Sequence, residues 1–302
     1  MRTILRSRVA GAIVVALALI AAACSGDDSK EGPTITVGST NFGEQEILGE
    51  IFATALEDAG YPVERKFQLG SREVVNPALK SGEIDLMAEY TGALLNFEGG
   101  TPSTDSDRTW NDLRAALEGS GVTALAYAPA EDKDGLAVTA QTAQDLGVSK
   151  ISDLARYNGQ LVFGGPPECP EREFCLLGYQ DVYGLEFKEF RPLDTGGPIT
   201  VAALEGGEID VGALFTSDGV IAAKDFVLLE DDRNLHPAQN IVPVIRTEIV
   251  DEYGDDLTDL LESIAAAITT AELSEMNKQF GIDAVDADVL AAEWLETNGF
   301  GG

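Results

Sequence analysis

The chain predicts a two-lobed α/β protein, and three observations carry that expectation. A helix–strand–loop unit occurs twice, as ALKSGEIDLMAEYTG at residues 78–92 and as ALEGGEIDVGALFTSDG at residues 203–219. Segments of period 2 and period 3.6 alternate along the chain, which implies parallel strands joined by helical crossovers. Once an export signal is set aside, about 280 residues remain, too many for most single cores and enough for two. Each copy of the repeated unit presents an aromatic residue at a strand's carboxyl end, where open α/β sheets collect ligands.

Residues 1–23 read as the export signal. Arg2, Arg6 and Arg8 precede an apolar run over residues 9–23 that ends in small side chains. The run is shorter than the roughly 20 residues a membrane span needs. Residues 21–24, AAAC, resemble a bacterial lipobox, in which Cys24 is lipidated and becomes the mature N-terminus; the other reading is an ordinary secretory signal with a chance cysteine. Residues 24–33 form a flexible polar tether.

The first lobe is expected over residues 34–130 and 235–302. It opens with an alternating strand at 34–39 and an amphipathic helix at 44–59, whose apolar face carries Ile47, Leu48, Ile51, Phe52, Ala55 and Leu56. Gly60 stops that helix. A strand at 63–68 follows, then a helix capped by Ser71 and ended by Gly82, and a strand at 84–88. A helix at 109–119 and an extended segment at 122–127 lead to PAEDKD, read as the crossover into a second lobe over residues 131–234. That lobe repeats the pattern, with helices near 142–146, up to Tyr183 and at 200–205, and strands at 161–163, 187–190 and 209–214. Gly164-Gly165-Pro166 and Gly196-Gly197-Pro198 read as tight turns. NIVPVIR, at 240–246, is a strand that returns to the first lobe, followed by helices at 257–270, 271–280 and 286–297. Two crossings between lobes make a hinge.

Composition narrows the function. The formal net charge is −32, and loss of the signal arginines makes it more negative still. Phosphate binding needs a basic face, so nucleic acid is excluded as a partner. The acidity reads as solvation of an exported protein. Cys169 and Cys175 read as a small-loop disulfide in an oxidising compartment. With one histidine in the chain, His236, neither a metal site nor a histidine-based acid–base pair or triad is supported. There is no nucleophile elbow and no phosphate loop, so the chain reads as a non-enzyme without a cofactor.

VGSTNFGEQEILGEIFATALEDAGY, LGSREVV, ALKSGEIDLMAEYTG, GGPPE, KEFRPLDTGG and ALEGGEIDVGALFTSDG resemble, in order and spacing, the substrate-binding proteins of osmoprotectant ABC importers, which bind glycine betaine, choline and carnitine. The resemblance runs from about residue 34 to the end of the chain. It implies a Venus-flytrap fold of the type II periplasmic-binding-protein class, closing on a quaternary amine or related compatible solute and delivering it to a permease and its ATPase. It also implies a monomer outside the cytoplasmic membrane, lipid-anchored to the membrane surface of a bacterium. A different cationic amine or amino acid, or a sensing role uncoupled from transport, is the alternative.

The family holds its ligand's cation in a tyrosine cage, a cation–π site. Carried onto this chain, the cage keeps Tyr90 but has Phe215, Asp134 and Gln239 where tyrosines are expected, and Thr40 where a lysine grips a carboxylate. Arg172 matches a family arginine able to pair a carboxylate bidentately. Asn41 and Phe42 beside Thr40, Ser71 and Arg72 at a helix start, Thr91 beside Tyr90, Asp132 in the crossover, and Thr216 and Asp218 after Phe215 complete the expected ligand set. Asp218 and Ser71 also read as helix N-caps. Losing a lysine while gaining Asp132 and Asp134 favours a small cationic or zwitterionic amine.

Overall fold

The computed structural model describes residues 30–301. The expected signal and Cys24 lie outside the described residues. The chain begins with β1 (Ile35–Gly38), α1 (Gly43–Asp58), β2 (Val63–Lys66), α2 (Arg72–Ser81), β3 (Leu86–Tyr90), α3 (Thr91–Phe97), α4 (Ser106–Leu117) and β4 (Val122–Ala124). It continues through β5 (Asp134–Thr139), α5 (Ala140–Leu146), β6 (Val162–Gly165), α6 (Leu176–Tyr183), β7 (Glu189–Pro192), α7 (Pro198–Glu205), β8 (Val211–Phe215), α8 (Val220–Ala223) and β9 (Phe226–Leu228). It ends with β10 (Ile241–Arg246), α9 (Thr247–Tyr253), α10 (Asp255–Ala267), α11 (Thr270–Gly281) and α12 (Ala287–Asn298).

Two five-stranded sheets result, ordered β2-β1-β3-β10-β4 and β7-β6-β8-β5-β9. The two orders are one pattern, with β6, β7 and β8 standing where β1, β2 and β3 stand. The expectation of parallel sheets needs correction, because β10 runs antiparallel to β3 and β4, and β5 antiparallel to β8 and β9. The reason is the connectivity. Each of these strands is entered from the other lobe, at the end of the sheet where its neighbours finish.

The two crossings lie side by side. Glu131 bridges Asn240 in antiparallel fashion. The Asp132 N–H donates to the Gln239 carbonyl at 3.0 Å, and the Ile241 N–H to the Ala130 carbonyl at 3.1 Å.

The repeated Gly-Glu-Ile-Asp explains how each half starts its central strand. Asp85 Oδ2 accepts the Thr36 N–H at 2.9 Å, and Asp210 Oδ2 accepts the Val162 N–H at 2.8 Å. In each lobe the carboxylate extends the ladder by one bond to the neighbouring strand. The strands themselves begin one residue later, at Leu86 and Val211, so the expected starts at 84 and 209 shift. The first copy also has no loop after its strand: α3 starts at Thr91, directly after Tyr90.

Helix α1 buries the expected stripe against β1, β3, α11 and α12, and Glu44 and Gln45 are buried with it. A second apolar cluster, with Val75, Leu79, Leu94 and Leu113, covers the other face of the first sheet. The second sheet is covered likewise on both faces, around Phe163 and Tyr179 and around Leu204 and Leu214. Strand β9 and helices α3, α8 and α9 add to the expected elements; each is short, between three and seven residues. Gly164 and Gly165 lie within β6 and form no turn, whereas Gly196 does adopt a left-handed φ of 66° before α7. Cys169 and Cys175 form the expected disulfide.

Candidate ligand site between the lobes

The carboxyl ends of β1 and β3 face the start of α6's loop and the end of β8 across the cleft, and aromatic side chains meet there. Phe42, the residue before α1, stacks on Tyr90 at 6.3 Å between ring centroids with planes inclined by 25°. It stacks equally on Phe215 of the other lobe, at 5.6 Å and 20°. Tyr90 ends β3 and Phe215 ends β8, so the repeated units deliver one ring each.

Beside this stack lies a cavity of about 40 Å³. Of the expected residues, Thr40, Asn41, Phe42, Ser71, Arg72, Tyr90 and Arg172 line it, joined by Gln45, Glu89, Glu168 and Thr195. The Thr40 hydroxyl and both polar atoms of the Gln45 side chain are buried without a hydrogen-bond partner among the described residues. Buried polar groups are normally satisfied by protein, water or a ligand, so these atoms are free to hold a polar molecule in the cavity.

Neither arginine is free. Arg72 Nε and Nη2 each donate at 2.8 Å to Glu89, in a bidentate pair whose side chains are 12% and 2% exposed. Arg172 reaches Glu73 of the facing lobe at 3.2 Å and Glu168 at 3.3 Å. It therefore bridges the lobes, as does the Asn96 amide, which donates to Glu173 at 2.7 Å.

Beneath the aromatic rings lies a cluster of buried acids. The Tyr90 hydroxyl donates to Glu44 Oε1 at 2.6 Å, and Asn277 Nδ2, on α11, donates to Glu44 Oε2 at 2.6 Å. Ser217 Oγ lies 2.6 Å from Glu44 Oε2 and 2.7 Å from Asp132 Oδ1. Burial raises the pKa of Glu44 despite these donors. Burial, then the charges of Glu44 and Asp218, push Asp132 well above the aspartate range. Asp218 is pushed up to about 8, chiefly by burial, although it accepts the Phe215 N–H at 2.8 Å. Burial and the adjacent Glu44 also raise the Tyr90 phenol.

The remaining expected residues sit elsewhere. Thr91 donates to the Ala238 carbonyl and accepts the Asn240 N–H, and Gln239 Oε1 accepts the Ala93 N–H at 2.8 Å; both tie α3 to the returning crossover. Thr216 Oγ1 accepts the Lys133 N–H at 2.8 Å. Asp134 pairs with Phe215 in the second sheet and lines, with Thr216 and His236, a separate cavity of about 200 Å³. Ser71 occupies the N-cap position of α2 but makes no side-chain cap bond; its hydroxyl turns to Glu73 instead. The Asp218 carboxylate turns back to its own strand, and among the described residues it accepts no helix-start N–H. It lines a further cavity of about 290 Å³ between α7, α8 and α11.

Sequence reasoning missed Glu44, Gln45, Ser217 and Asn277. For Glu44 a signal existed: it lies three, four and seven positions before Ile47, Leu48 and Ile51, on the apolar face of its helix. A carboxylate on such a stripe is buried. Nothing in the sequence places Asn277 near Glu44, since the two are distant in the chain.

Residues 33–297 match the family described as the substrate-binding domain of ABC-type glycine betaine transport systems. The chain belongs to this family. Among curated relatives, the glycine betaine-binding protein YehZ of Escherichia coli is 27% identical over 282 residues, covering 88% of this chain and 91% of that one. The glycine-betaine-binding protein of Pseudomonas aeruginosa is 28% identical and covers 88% of both. A crystal structure of a glycine betaine/carnitine/choline ABC transporter component superposes with a TM-score of 0.71 at 21% identity, over 89% of this chain and 99% of that one. The apo YehZ structure gives 0.63 at 25% identity, over 89% and 100%. This member of the family is thus a solute-binding protein of an ABC importer with the type II two-lobed fold, and the family works outside the cytoplasm.

Proposed function

We propose that this protein captures a small quaternary or otherwise cationic amine between its lobes, 34–130 with 235–302 and 131–234, and presents it to an ABC permease and its ATPase. The observation that supports this reading is the triple stack of Tyr90, Phe42 and Phe215 over buried carboxyl groups. An organic cation placed on those faces gains cation–π attraction of about 0.5–2 kcal/mol per good contact. The orphaned Thr40 hydroxyl and Gln45 amide offer hydrogen bonds to the ligand's polar end. Because Arg72 and Arg172 are both already paired, a full cation fits the charge balance better than a ligand with its own carboxylate. The relatives named for glycine betaine and carnitine, and the choline complex at a TM-score of 0.62, point to the same chemical class. We read Cys24 as the lipid anchor and the monomer as the working unit.

A cavity of about 40 Å³ holds a few waters at best. The lobes therefore part to admit solute, and closure selects the bound form because the ligand touches both lobes only then. Titration calorimetry with choline, glycine betaine, carnitine, proline and a diamine tests the reading. Binding is expected for the quaternary amines, and Tyr90→Ala is expected to weaken it about 5- to 30-fold while Tyr90→Phe, which keeps the ring, loses much less. Absence of binding by every amine, or an unaltered Kd in Tyr90→Ala, would defeat it.

A further inference from the structure

One hydroxyl hydrogen has too many takers at the lobe interface. Ser217 Oγ is within hydrogen-bond distance of two carboxyl oxygens, Glu44 Oε2 at 2.6 Å and Asp132 Oδ1 at 2.7 Å. A serine carries one O–H, and an ionised carboxylate only accepts. Both contacts are hydrogen bonds only when one carboxyl is protonated and donates to the serine oxygen. The surroundings say which one. Glu44 receives donors on both oxygens, from Tyr90 and Asn277, and these favour its ionised form. Apart from the serine, Asp132 has only the Ser217 N–H at 3.2 Å, on the same Oδ1. The proton therefore sits on Asp132, which donates to Ser217 Oγ, and Ser217 donates to Glu44.

We propose that closure of the lobes takes up this proton, so that the closed form is favoured as pH falls. Glu44 begins α1 in the first lobe, whereas Ser217 follows β8 in the second and Asp132 lies on the crossover. Parting the lobes separates Glu44 from the other two and opens both acids to water. The groups facing the pair offer no countercharge. Tyr90 comes from β3, Asn277 from α11, and Asp218, with Asp194 behind it, from the second lobe. On the crossover, Lys133 is paired with Glu131 at 3.0 Å. Among the described residues no lysine, arginine or histidine forms an ion pair with Glu44 or Asp132. Burial thus raises both carboxyls in the closed form.

The sign follows from linkage. The closed form binds more protons than the open form, so its advantage is complete below the ordinary carboxylate range. It is lost as pH rises through the raised closed-state value. For one proton the closed-to-open ratio changes by about tenfold per pH unit within that window.

The test needs no knowledge of the solute. Dyes on Asp181→Cys and Asp259→Cys, exposed sites on α6 and α10, report lobe separation by energy transfer between pH 5 and pH 9. The closed fraction is expected to fall as pH rises. In Asp132→Asn, whose amide donates at every pH, it is expected to stay high and flat. Ser217→Ala, a smaller change in case the first variant folds poorly, removes a donor that favours the ionised acids, so it is expected to keep or steepen the slope while the closed fraction falls at high pH. A pH-independent closed fraction in the wild-type protein, an unchanged slope in Asp132→Asn, or a slope lost in Ser217→Ala would overturn the proposal. Because no ligand is added, these outcomes are separate from any failure of amines to bind.

Discussion

Arg72 illustrates how a residue can face a binding cavity and still serve the fold. Its guanidinium lies at the start of α2, where a positive side chain invites a ligand carboxylate, yet its Nε/Nη2 edge is taken bidentately by Glu89 on β3. Removing one partner of a buried ion pair leaves an uncompensated charge, which typically costs about 3–5 kcal/mol. Arg72→Ala is expected to lower the unfolding free energy by that order and so the denaturation midpoint, and Arg72→Lys to recover only part, since lysine has no planar fork. A midpoint unchanged within error in Arg72→Ala would show that Glu89 finds another partner. The same reasoning shows why individual site residues were hard to read from the sequence. Thr91, Gln239 and Thr216 have the right chemistry for a ligand, but their hydrogen bonds go to backbone groups of neighbouring segments. Whether a polar atom is spent inside the protein depends on non-local neighbours, which the order of residues does not display.

At the level of elements, the two Ala-Leu-x-x-Gly-Glu-Ile-Asp units are related in shape but not in cost. Gly82 and Gly207 both take left-handed φ values, of 79° and 68°, where their helices end. A Cβ on Gly82 would meet the Arg246 guanidinium at 2.7 Å, and that group pairs with Asp85 of the same unit at 3.0 Å. A Cβ on Gly207 would meet nothing within 4 Å. Gly207→Ala is expected to cost about 1 kcal/mol for the left-handed backbone alone, and Gly82→Ala measurably more because Arg246 must move. Equal losses in thermal unfolding would contradict that account. Element type is legible over long periodic runs, as for α1, with its stripe from Ile47 to Leu56. It was not legible for β9 or α3, which a few residues encode and tertiary contacts hold. The strand starts shifted because Asp85 and Asp210 spend their side chains on a neighbouring strand before the strands proper begin.

For the whole molecule, the acid excess is the dominant long-range term. With 52 acidic and 20 basic residues, repulsion summed over the surface outweighs the exposed ion pairs, each of which is worth little. Salt screens over about 8–10 Å at physiological strength, so it relieves the repulsion more than it weakens the buried Arg72–Glu89 contact. Raising sodium chloride from 10 to about 150 mM is expected to raise the Tm. A Tm that falls with salt would mean the surface pairs dominate instead. The same scale contains the closure of the lobes. Arg172–Glu73, Asn96–Glu173 and Ser217–Glu44 join them; Arg172 lines the cavity, and Glu44 bonds Tyr90, which lines it too. A ligand or a proton arriving there acts on the one equilibrium that the molecule is built to shift.

The sequence by itself determined that there are two related α/β halves, that a disulfide joins Cys169 and Cys175, and that Tyr90 and Phe215 stand at matching strand ends. Periodicity, turn chemistry and repetition are local properties, and local order preserves them. The tertiary structure alone decided that the strands from the hinge run antiparallel. It also decided that the arginines are already paired, and that Glu44, Ser217, Asp132 and Asn277 share one buried cluster. Those facts depend on which distant segments meet, on the water they exclude, and on the number of protons that remain to satisfy them.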